Sequence, residues 1–519
     1  MDSKLIVDHV RLTPILISDP PLLNLQGVHQ PYTPRLVVEV VTRAGVTGLG
    51  ETYGDHVYLN LAQPLAEALP GRSITDVNDL FALAEAVCAA AEKAEADGAA
   101  TATAVERAGG PSSGGGAWTW AGVAAWPSPA AGASAGGAGG LPPATGASAG
   151  VAGAPSPATG ALSGAGGGPS PATGALSGGA SAPSPATDAG VDAGGLRGVR
   201  TAAKLRLSVV SAFETACLDA LGKTLGLPVH ALLGGKVRDS VEYSAYLFHR
   251  WATHPGAAPM DDWGAALDPA GIVAQARRFE RLHGFSSFKL KGGVFEPERE
   301  IAAIRALAEA FPGRPLRLDP NGAWSVETSL AVARELGDVL EYLEDPSSGT
   351  DAMARIAART DVPLATNMCV TTFEEIPEAF AKGAVDIVLA DHHYWGGLQR
   401  TRELAALCRT YGIGLSMHSN THLGISLAAM THVAATLPDL HHACDTHYPW
   451  QTEDVITPRP AFHSGHLPVP DTPGLGIDLD RPALAALHHR WLTDDGTHHN
   501  RDDTAAMRSA DPTWTQGHW

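Results

Sequence analysis

Polar side chains recur at regular intervals along the second half of this 519-residue chain, each at the end of a short apolar run. They are Lys289 with Lys291, Asp319, Glu344, Asn367, Asp391, His418 and Asp445. Successive positions are 23 to 28 residues apart, which is the length of one strand plus one helix. This alternation predicts a parallel β-barrel surrounded by helices, with the polar residues on the face where the carboxyl ends of the strands meet. A single polar strand end is usually a cap, but a regular series indicates an active site.

A low-complexity segment interrupts the first half of the chain. A 14-residue unit rich in glycine, alanine, proline and serine occurs five times from Pro127, the last time in a degraded form, and no charged residue lies between Ala108 and Thr187. Such units have too few large apolar side chains to offset the entropy of ordering the backbone, and their prolines prevent a continuous helix. We therefore predict a disordered insertion over residues 96–195.

The balance of charges limits the kinds of partner. The chain has 36 Lys and Arg against 55 Asp and Glu, a formal net charge of −19, which repels nucleic acids and anionic membranes. Neither a secretory signal nor an apolar stretch long enough to span a bilayer is visible, and the five cysteines form no CxxC pair. We expect a cytoplasmic protein with reduced thiols and no nucleic-acid or membrane partner.

Three oxygen-bearing side chains end three consecutive predicted strands. They are Asp319, Glu344 and Asn367. Carboxylate and amide oxygens are the ligands that Mg²⁺ prefers, with substrate oxygens or water completing its octahedron. Since no cysteine or histidine is among them, Zn²⁺ is the less suitable ion. The sequence therefore predicts a magnesium site.

Two further strand ends carry groups that can exchange protons. Lys289 and Lys291 are two residues apart, so both point to one face of a strand, and their repulsion is expected to lower the pKa of one of them. His418 follows a predicted strand adjacent to that of Asp391, a carboxylate that is expected to orient the ring and raise its basicity. The lysines and the histidine stand on opposite sides of the metal strands. We therefore expect two bases that reach opposite faces of one α-carbon.

Seven segments combine these residues: FKLKGG, LDPNGAW, EDP, ATNM, LADHHYW, MHSNTH and DTHYPWQ. Together they resemble the enolase superfamily and, within it, the glucarate dehydratases, over residues 4–95 and 196–510. The resemblance implies a modified (β/α)7β TIM-like barrel with an α+β N-terminal capping domain. The implied domains are a cap formed by 1–95 and 196–240, the insertion 96–195 within it, the barrel over 241–460 and a C-terminal segment, 461–519, that returns to the cap and the active site.

The resemblance also implies a role for each matching residue. Lys291, with Lys289 beside it, is the base for one face of the substrate. His418, backed by Asp391, is the base for the other face and the acid for the leaving hydroxide. Mg²⁺ is held by Asp319, Glu344 and Asn367. Other positions contact the substrate or the intermediate: the catalytic Asn420, then Asn321 and His447, and, in the cap, His29, Thr201 and Tyr246. Arg501 holds a distal carboxylate, a role suited to a guanidinium fork.

The implied activity is dehydration of a sugar diacid by a cytoplasmic, homo-oligomeric enzyme. Mg²⁺-assisted removal of an α-proton from a hexarate of the D-glucarate or L-idarate type and β-elimination of water would give a keto-deoxy-glucarate. Two opposed bases also suit an aldarate epimerase or racemase, and the same residues would suit a different acid-sugar dehydratase or a catalytically weak binding protein. The chain departs from the family at His392, where the family has a proline, so the identity of the aldarate stays open.

Overall fold

The computed structural model of the chain describes residues 3–87 and 202–519. The predicted insertion at 96–195 and the candidate residue Thr201 lie outside the described residues. Within the described ranges, no helix combines the length and the apolar character needed to cross a membrane. The cysteines described there are buried thiols that form no disulfide, namely Cys217, Cys369, Cys408 and Cys444.

The N-terminal part of the chain forms an antiparallel sheet covered by helices. Its strands are β1 (Val7–Ser18), β2 (Leu23–Asn24), β3 (Gly27–Val28), β4 (Tyr32–Thr42) and β5 (Thr47–Tyr53). Its helices are α1 (His56–Ala68), α2 (residues 77–87) and α3 (Ala202–Leu225). The main sheet has the order β1-β4-β5, while β2 and β3 form a small separate hairpin. This α+β unit is the predicted capping domain.

Glycines allow helix α3 to pack closely on strand β5. A Cβ atom at Gly48 would lie 1.9 Å from the carbonyl oxygen of Ala216, and one at Gly50 would lie 1.9 Å from that of Ala212. Thr52 of the same strand donates a hydrogen bond to the carbonyl oxygen of Ser208 on α3, at 2.9 Å. The glycine spacing in the sequence therefore sets the distance between the sheet and its covering helix.

A barrel of parallel strands follows the short helix α4 (Val229–Leu232). Within residues 240–446 its strands are β6 (Ser240–Phe248), β7 (Phe288–Lys291), β8 (Leu316–Asp319), β9 (Leu340–Glu344), β10 (Leu364–Thr366), β11 (Ile387–Ala390), β12 (Gly414–Met417) and β13 (Cys444–Thr446). Each strand pairs in parallel with its neighbour in sequence up to β12, and β13 returns to pair with β6. Between β12 and β13 the barrel is joined by the bond from the Ser416 hydroxyl to the Ala443 carbonyl oxygen, at 3.1 Å.

Helices connect the barrel strands in sequence. They are α5 (Pro269–His283), α6 (Pro297–Ala310), α7 (Val326–Leu336), α8 (Thr350–Ala357), α9 (Ile376–Ala381), α10 (Leu398–Tyr411) and α11 (Gly424–Ala435). Local sequence marks their ends: Asp268 caps α5 by accepting from the Gly271 N–H at 2.8 Å, and Gly284 ends it with a left-handed backbone. Every residue of α11 is buried, which agrees with its predominantly apolar sequence. The predicted (β/α)7β barrel is confirmed.

The C-terminal segment packs against both earlier parts. It contains β14 (Ile456–Thr457), β15 (His466–Pro468), β16 (Asp478–Leu479), α12 (Arg481–Thr493) and α13 (Asp503–Ala510). Strand β15 pairs with β6 of the barrel, and Arg490 of α12 donates to the carbonyl oxygen of Leu16 on β1, at 3.1 Å. The segment thus brings Arg501, which precedes α13, back to the cap.

Two predicted placements are wrong. The expected position of Asp445 is the end of its strand, but it lies within β13, which ends at Thr446 and is followed by His447. The expected position of Tyr246 is the cap, but it lies on β6, paired with Lys289 of β7. Both errors concern the first and last barrel strands, which adjoin the cap and the C-terminal segment in the sequence.

We expect Gly50→Ala to destabilise the cap, because its Cβ would collide with the Ala212 carbonyl oxygen on α3. Overpacking of this kind costs about 1–3 kcal/mol, which a urea unfolding curve would show as a lower midpoint at unchanged slope. Gly45→Ala is the control, since its Cβ meets nothing within 4 Å and only the left-handed backbone (φ 80°) is strained. Equal midpoints for Gly50→Ala and the unaltered protein would contradict the packing argument.

Candidate active site

The three predicted metal ligands lie together at the carboxyl ends of neighbouring barrel strands. Asp319 ends β8, Glu344 ends β9 and Asn367 directly follows β10, and all three are buried. The side-chain amide of Asn367 donates to Glu344 Oε1 at 2.6 Å, and the Tyr246 hydroxyl donates to Asp319 Oδ2 at 3.2 Å. The strands therefore bring oxygen-bearing side chains together in one buried cluster, called the metal pocket below.

The charges in this pocket suit a cation. Burial, and then the neighbouring charge of Asp319, raise the pKa of Glu344 well above its usual range. Two buried carboxylates repel each other, and a divalent ion between them would stabilise both in their ionised form. The donor set of two carboxylates and one amide oxygen fits Mg²⁺ by its chemistry.

Asp345 positions the last of these ligands. Its carboxylate accepts from the backbone N–H of Asn367 at 2.8 Å and from the Thr366 hydroxyl at 2.5 Å. It does so from a left-handed backbone conformation, φ 37°, which a residue with a Cβ rarely adopts. The hydrogen bonds of this strained residue join the end of β9 to the end of β10 and thereby position Asn367.

Lys291 contacts the metal pocket directly. Its Nζ donates to Asp319 Oδ2 at 2.6 Å and to Asn321 Oδ1 at 3.0 Å. Asn321 has a left-handed backbone, φ 57°, which turns the chain sharply after β8 and directs its amide toward the lysine. Lys291 therefore lies at the edge of the site, in hydrogen-bond contact with a candidate metal ligand.

Lys289 lies deeper in the barrel and is surrounded by carboxylates. Its Nζ forms ion pairs with Glu344, with Asp445 at 2.7 Å and with Asp319 at 3.5 Å. Burial opposes its charge, but these carboxylates outweigh burial and raise the pKa of Lys289 well above its usual range. The predicted lowering by lysine–lysine repulsion is therefore wrong for Lys289, since oppositely charged groups are nearer than the second ammonium.

Asp445 belongs to the layer beneath the site. Besides Lys289, its carboxylate accepts from Arg317 Nη1 at 3.3 Å, and the Arg317 guanidinium also pairs with Glu341 at 2.6 Å. These buried charges are paired, which is the condition under which a barrel interior tolerates them. Asp445 therefore supports the site from below.

His418 and Asp391 form the expected pair on the other side of the metal strands. Asp391 follows β11, His418 follows β12, and His418 Nδ1 lies 3.1 Å from Asp391 Oδ2. Burial lowers the pKa of His418, and the bond to Asp391 only partly offsets this effect. The carboxylate therefore raises the basicity of the ring as expected, but burial outweighs it, and the ring is neutral at neutral pH with Nε2 able to accept a proton. Asn420 lies nearby, and its amide donates to the Tyr394 hydroxyl at 3.3 Å.

The cap and the C-terminal segment bring further predicted residues together. His29 directly follows β3, and its ring stacks at 6.1 Å on that of His447, which follows β13. Burial lowers the pKa of His447 to about 3, so this ring is uncharged. Arg501 donates from Nη1 to the Thr33 hydroxyl at 2.6 Å. Thr201, the remaining predicted contact, lies outside the described residues.

Asp19 links these groups and was not predicted. Its carboxylate lies 3.3 Å from His29 Nδ1 and 3.0 Å from Arg501 Nη2, and it accepts from the Thr33 hydroxyl at 2.6 Å. Burial acts to raise its pKa, but His29 and Arg501 outweigh burial and hold the pKa of Asp19 well below its usual range. A lone aspartate after a predicted strand gives no signal of this role, because its partners lie far away in sequence.

Comparison with known proteins gives a consistent picture. Residues 271–483 match the family model described as "Enolase C-terminal domain-like". A protein of Streptomyces coelicolor named probable glucarate dehydratase is 60% identical over 516 residues, which cover 99% of this chain and 98% of that protein. A crystal structure of an enolase from Thermobispora bispora complexed with magnesium and formate is 44% identical, covers 99% of both chains and has a TM-score of 0.77. One from Pseudomonas fluorescens with bound magnesium, potassium and tartrate is 38% identical, covers 99% of this chain and 98% of that chain, and has a TM-score of 0.76.

Proposed function

This chain belongs to the enolase superfamily, and we propose on that premise that it is a dehydratase of glucarate-type hexarates, with D-glucarate or L-idarate as substrate. The carrying observation is one buried pocket that combines Asp319, Glu344 and Asn367 with Lys291 on one side and the His418–Asp391 pair on the other. Loss of the α-proton to a base leaves its electron pair on the substrate carboxylate, and departure of the β-hydroxyl with a proton from an acid releases water. The elimination leaves an enol, which tautomerises to a keto-deoxy-glucarate.

We propose that Mg²⁺ is held by Asp319, Glu344 and Asn367. When bound, it neutralises the negative charge that gathers on the substrate carboxylate as the α-proton leaves. Lys289 contacts both carboxylate ligands, so it holds them in place from below. Crystal structures of two related enolases, at 44% and 38% identity, contain magnesium, which supports this choice of ion.

The two candidate bases divide the faces of the α-carbon between them. His418 is neutral at neutral pH and can take a proton on Nε2, and the imidazolium so formed can return it to a leaving hydroxide. Lys291, which contacts Asp319, serves the opposite face. The same pair would interconvert epimers at the α-carbon, so an aldarate epimerase is the second candidate. Dehydration requires in addition a β-hydroxyl within reach of an acid.

The distal end of the substrate is assigned to the cap. Two buried ring nitrogen atoms have no hydrogen-bond partner within the described residues, namely His29 Nε2 and His447 Nδ1. A second carboxylate and the neighbouring hydroxyls would satisfy them, because buried donors and acceptors require partners. Arg501 is also paired with Asp19 and Asp503, so its charge is already shared before a diacid binds.

The proposal also covers the partners and the location of the enzyme. Its substrate is a small sugar acid. The buried, unpaired thiols of the described cysteines suit a reducing compartment, so we place the enzyme in the cytoplasm. Association into a homo-oligomer and the absence of a nucleic-acid partner stay predictions.

Activity should depend on the metal pocket. Asp319→Ala and Glu344→Ala should abolish keto-acid formation from D-glucarate, while Asp338→Asn, an exposed carboxylate paired with Arg305, should leave it unchanged. Exhaustive EDTA treatment should have the same effect as the first two variants and Mg²⁺ should reverse it. A far-UV circular dichroism spectrum and thermal melt would exclude unfolding. Full turnover of the chelated enzyme would contradict the magnesium assignment.

Hydrogen exchange in D₂O should separate the two bases. Lys291→Ala should lose exchange at the α-carbon of one hexarate epimer, and His418→Ala should lose exchange at the other, because each base reaches one face. Lys382→Ala, an exposed lysine paired with Asp351, is the control. NMR spectra of the recovered hexarates provide the measurement. Loss of the same exchange in both variants would mean that the groups do not face opposite sides.

Arg501 should be needed for diacids more than for monoacids. Arg501→Lys keeps a charge near Asp19 but loses the planar fork, so we expect kcat/KM for D-glucarate to fall about a hundredfold, or a few kcal/mol. Poor monoacid substrates should change little. Arg490→Lys, which alters a half-buried pair with Glu453, is the matched control. Equal losses on diacids and monoacids would assign the distal carboxylate to a different group.

A further inference from the structure

Histidine rings lie around Asp391 in addition to His418. His392, His393 and His422 are all buried, and with Asp391 they offer ligand-type atoms within 4.8 Å of one another. Asp391 Oδ1 accepts from the backbone N–H of His393 at 3.0 Å and lies 3.1 Å from its Nδ1, while Oδ2 lies 3.4 Å from His422 Nε2. The carboxylate that orients the candidate base is therefore itself held by a second ring.

His393 has oxygen acceptors at both of its ring nitrogens. Nε2 lies 2.9 Å from the carbonyl oxygen of Glu51 and 3.1 Å from the Ser426 hydroxyl. Nδ1 lies 3.1 Å from Asp391 Oδ1 and 3.1 Å from His422 Nε2. A carbonyl oxygen and a carboxylate can only accept, and a neutral imidazole has one N–H. In either neutral tautomer, the nitrogen without a proton would therefore point its lone pair at the lone pair of a buried oxygen. With a proton on each nitrogen, Nδ1 donates to Asp391 and Nε2 donates to the Glu51 carbonyl oxygen.

We propose that His393 is protonated on both ring nitrogens and positions Asp391 for the candidate base, because it binds Oδ1 and leaves Oδ2 to His418 Nδ1. This inference rests on the proposed function for its catalytic consequence, but the protonation itself does not. His393 does not contact the reacting atoms, so it is a positioning residue. It extends the His418–Asp391 pair into a row of three groups whose last member is cationic.

The cap fixes this third member. Glu51 belongs to β5, and its carboxylate is bound by Arg35 Nε at 2.8 Å and by the backbone N–H groups of Leu423 and Ser426, each at 2.9 Å. These bonds connect the cap strand to the start of α11 in the barrel. The backbone carbonyl oxygen of Glu51 accepts a hydrogen bond from His393 Nε2. Closure of the cap on the barrel and orientation of the His418–Asp391 pair thus depend on the same contacts.

Charges around His393 balance when both of its ring nitrogens are protonated. Arg35 and Glu51 face it from the cap as an ion pair, and Asp391 faces it from the end of β11. Burial lowers the pKa of His422, which precedes α11, to about 4, and holds that of His392 well below its usual range. The positive charge next to Asp391 is assigned to His393 by its contacts, since both of its ring nitrogens face an oxygen that can only accept.

The Lys291 side of the site is built differently. Within the described residues, the hydrogen bonds of Lys291 Nζ go to Asp319 and Asn321, both in the barrel. A change at His393 should therefore affect proton transfer at one face of the α-carbon and leave the other face intact. This asymmetry provides an internal control that a general loss of structure would not reproduce.

The first test uses stereospecific hydrogen exchange in D₂O. His393→Leu should lower the His418-dependent exchange about tenfold or more, the scale typical of outer partners of functional groups, and leave the Lys291-dependent exchange within about twofold. His393→Asn, which retains an N–H for Asp391, should recover part of the loss. His392→Asn is the matched control in the same cluster and should leave both exchanges unchanged. Equal losses at both faces, or no loss at either, would overturn the positioning role.

The second test does not require activity. In full-length protein labelled with ¹⁵N-histidine, NMR spectra at pH 8 should show one imidazole with both nitrogens protonated, absent from His393→Leu and present in His392→Asn. Absence of such a ring in the unaltered protein would overturn the proposal, as would stoichiometric zinc or nickel that is lost with His393→Leu, because a metal would then be the cation. If the unaltered protein converts no hexarate but shows this ring, the proposed function fails and the protonation stands.

Discussion

The buried ammonium of Lys289 is the charge on which the upper part of the barrel depends. It contacts three carboxylates from three different strands, those of Asp319, Glu344 and Asp445. Without a cation, three carboxylates in a dry interior would face a desolvation penalty of several kcal/mol each and would repel one another. Lys289 therefore allows Asp319 and Glu344, the candidate metal ligands, to lie close together.

Buried charges in the parts of the site outside the barrel are likewise paired with opposite charges. Arg35 with Glu51 and Arg501 with Asp19 are ion pairs that are buried between the cap, the barrel and the C-terminal segment. Because each pair contains one positive and one negative side chain, the cap can pack on the barrel without burying an unpaired charge there. Both acidic residues also contact a histidine: the backbone carbonyl oxygen of Glu51 lies 2.9 Å from His393 Nε2, and the carboxylate of Asp19 lies 3.3 Å from His29 Nδ1. Stability of the closed cap and geometry of the site are thus properties of the same contacts.

The sequence predicts the site where its geometry follows from strand ends. Regular intervals place Lys291, Asp319, Glu344, Asn367 and His418 correctly, because parallel strands of similar length bring their carboxyl ends to one face. Asp445 is misplaced because β13 begins two residues later than its apolar run. For Lys289 the pKa argument failed because the sequence shows two like charges two residues apart, but not the carboxylates that other strands bring to this side chain.

Residues that act through distant partners could not be predicted in this way. His393 bonds to the Glu51 carbonyl oxygen across 342 residues of sequence, and Arg501 bonds to Thr33 across 468. Neither contact follows from periodicity, since both depend on how the cap docks on the barrel. They have a common consequence for chemistry. The His418 side of the site is completed by the cap through His393, whereas the Lys291 side is complete within the barrel. The cap therefore helps to orient the candidate base His418, whereas the barrel alone orients the candidate base Lys291.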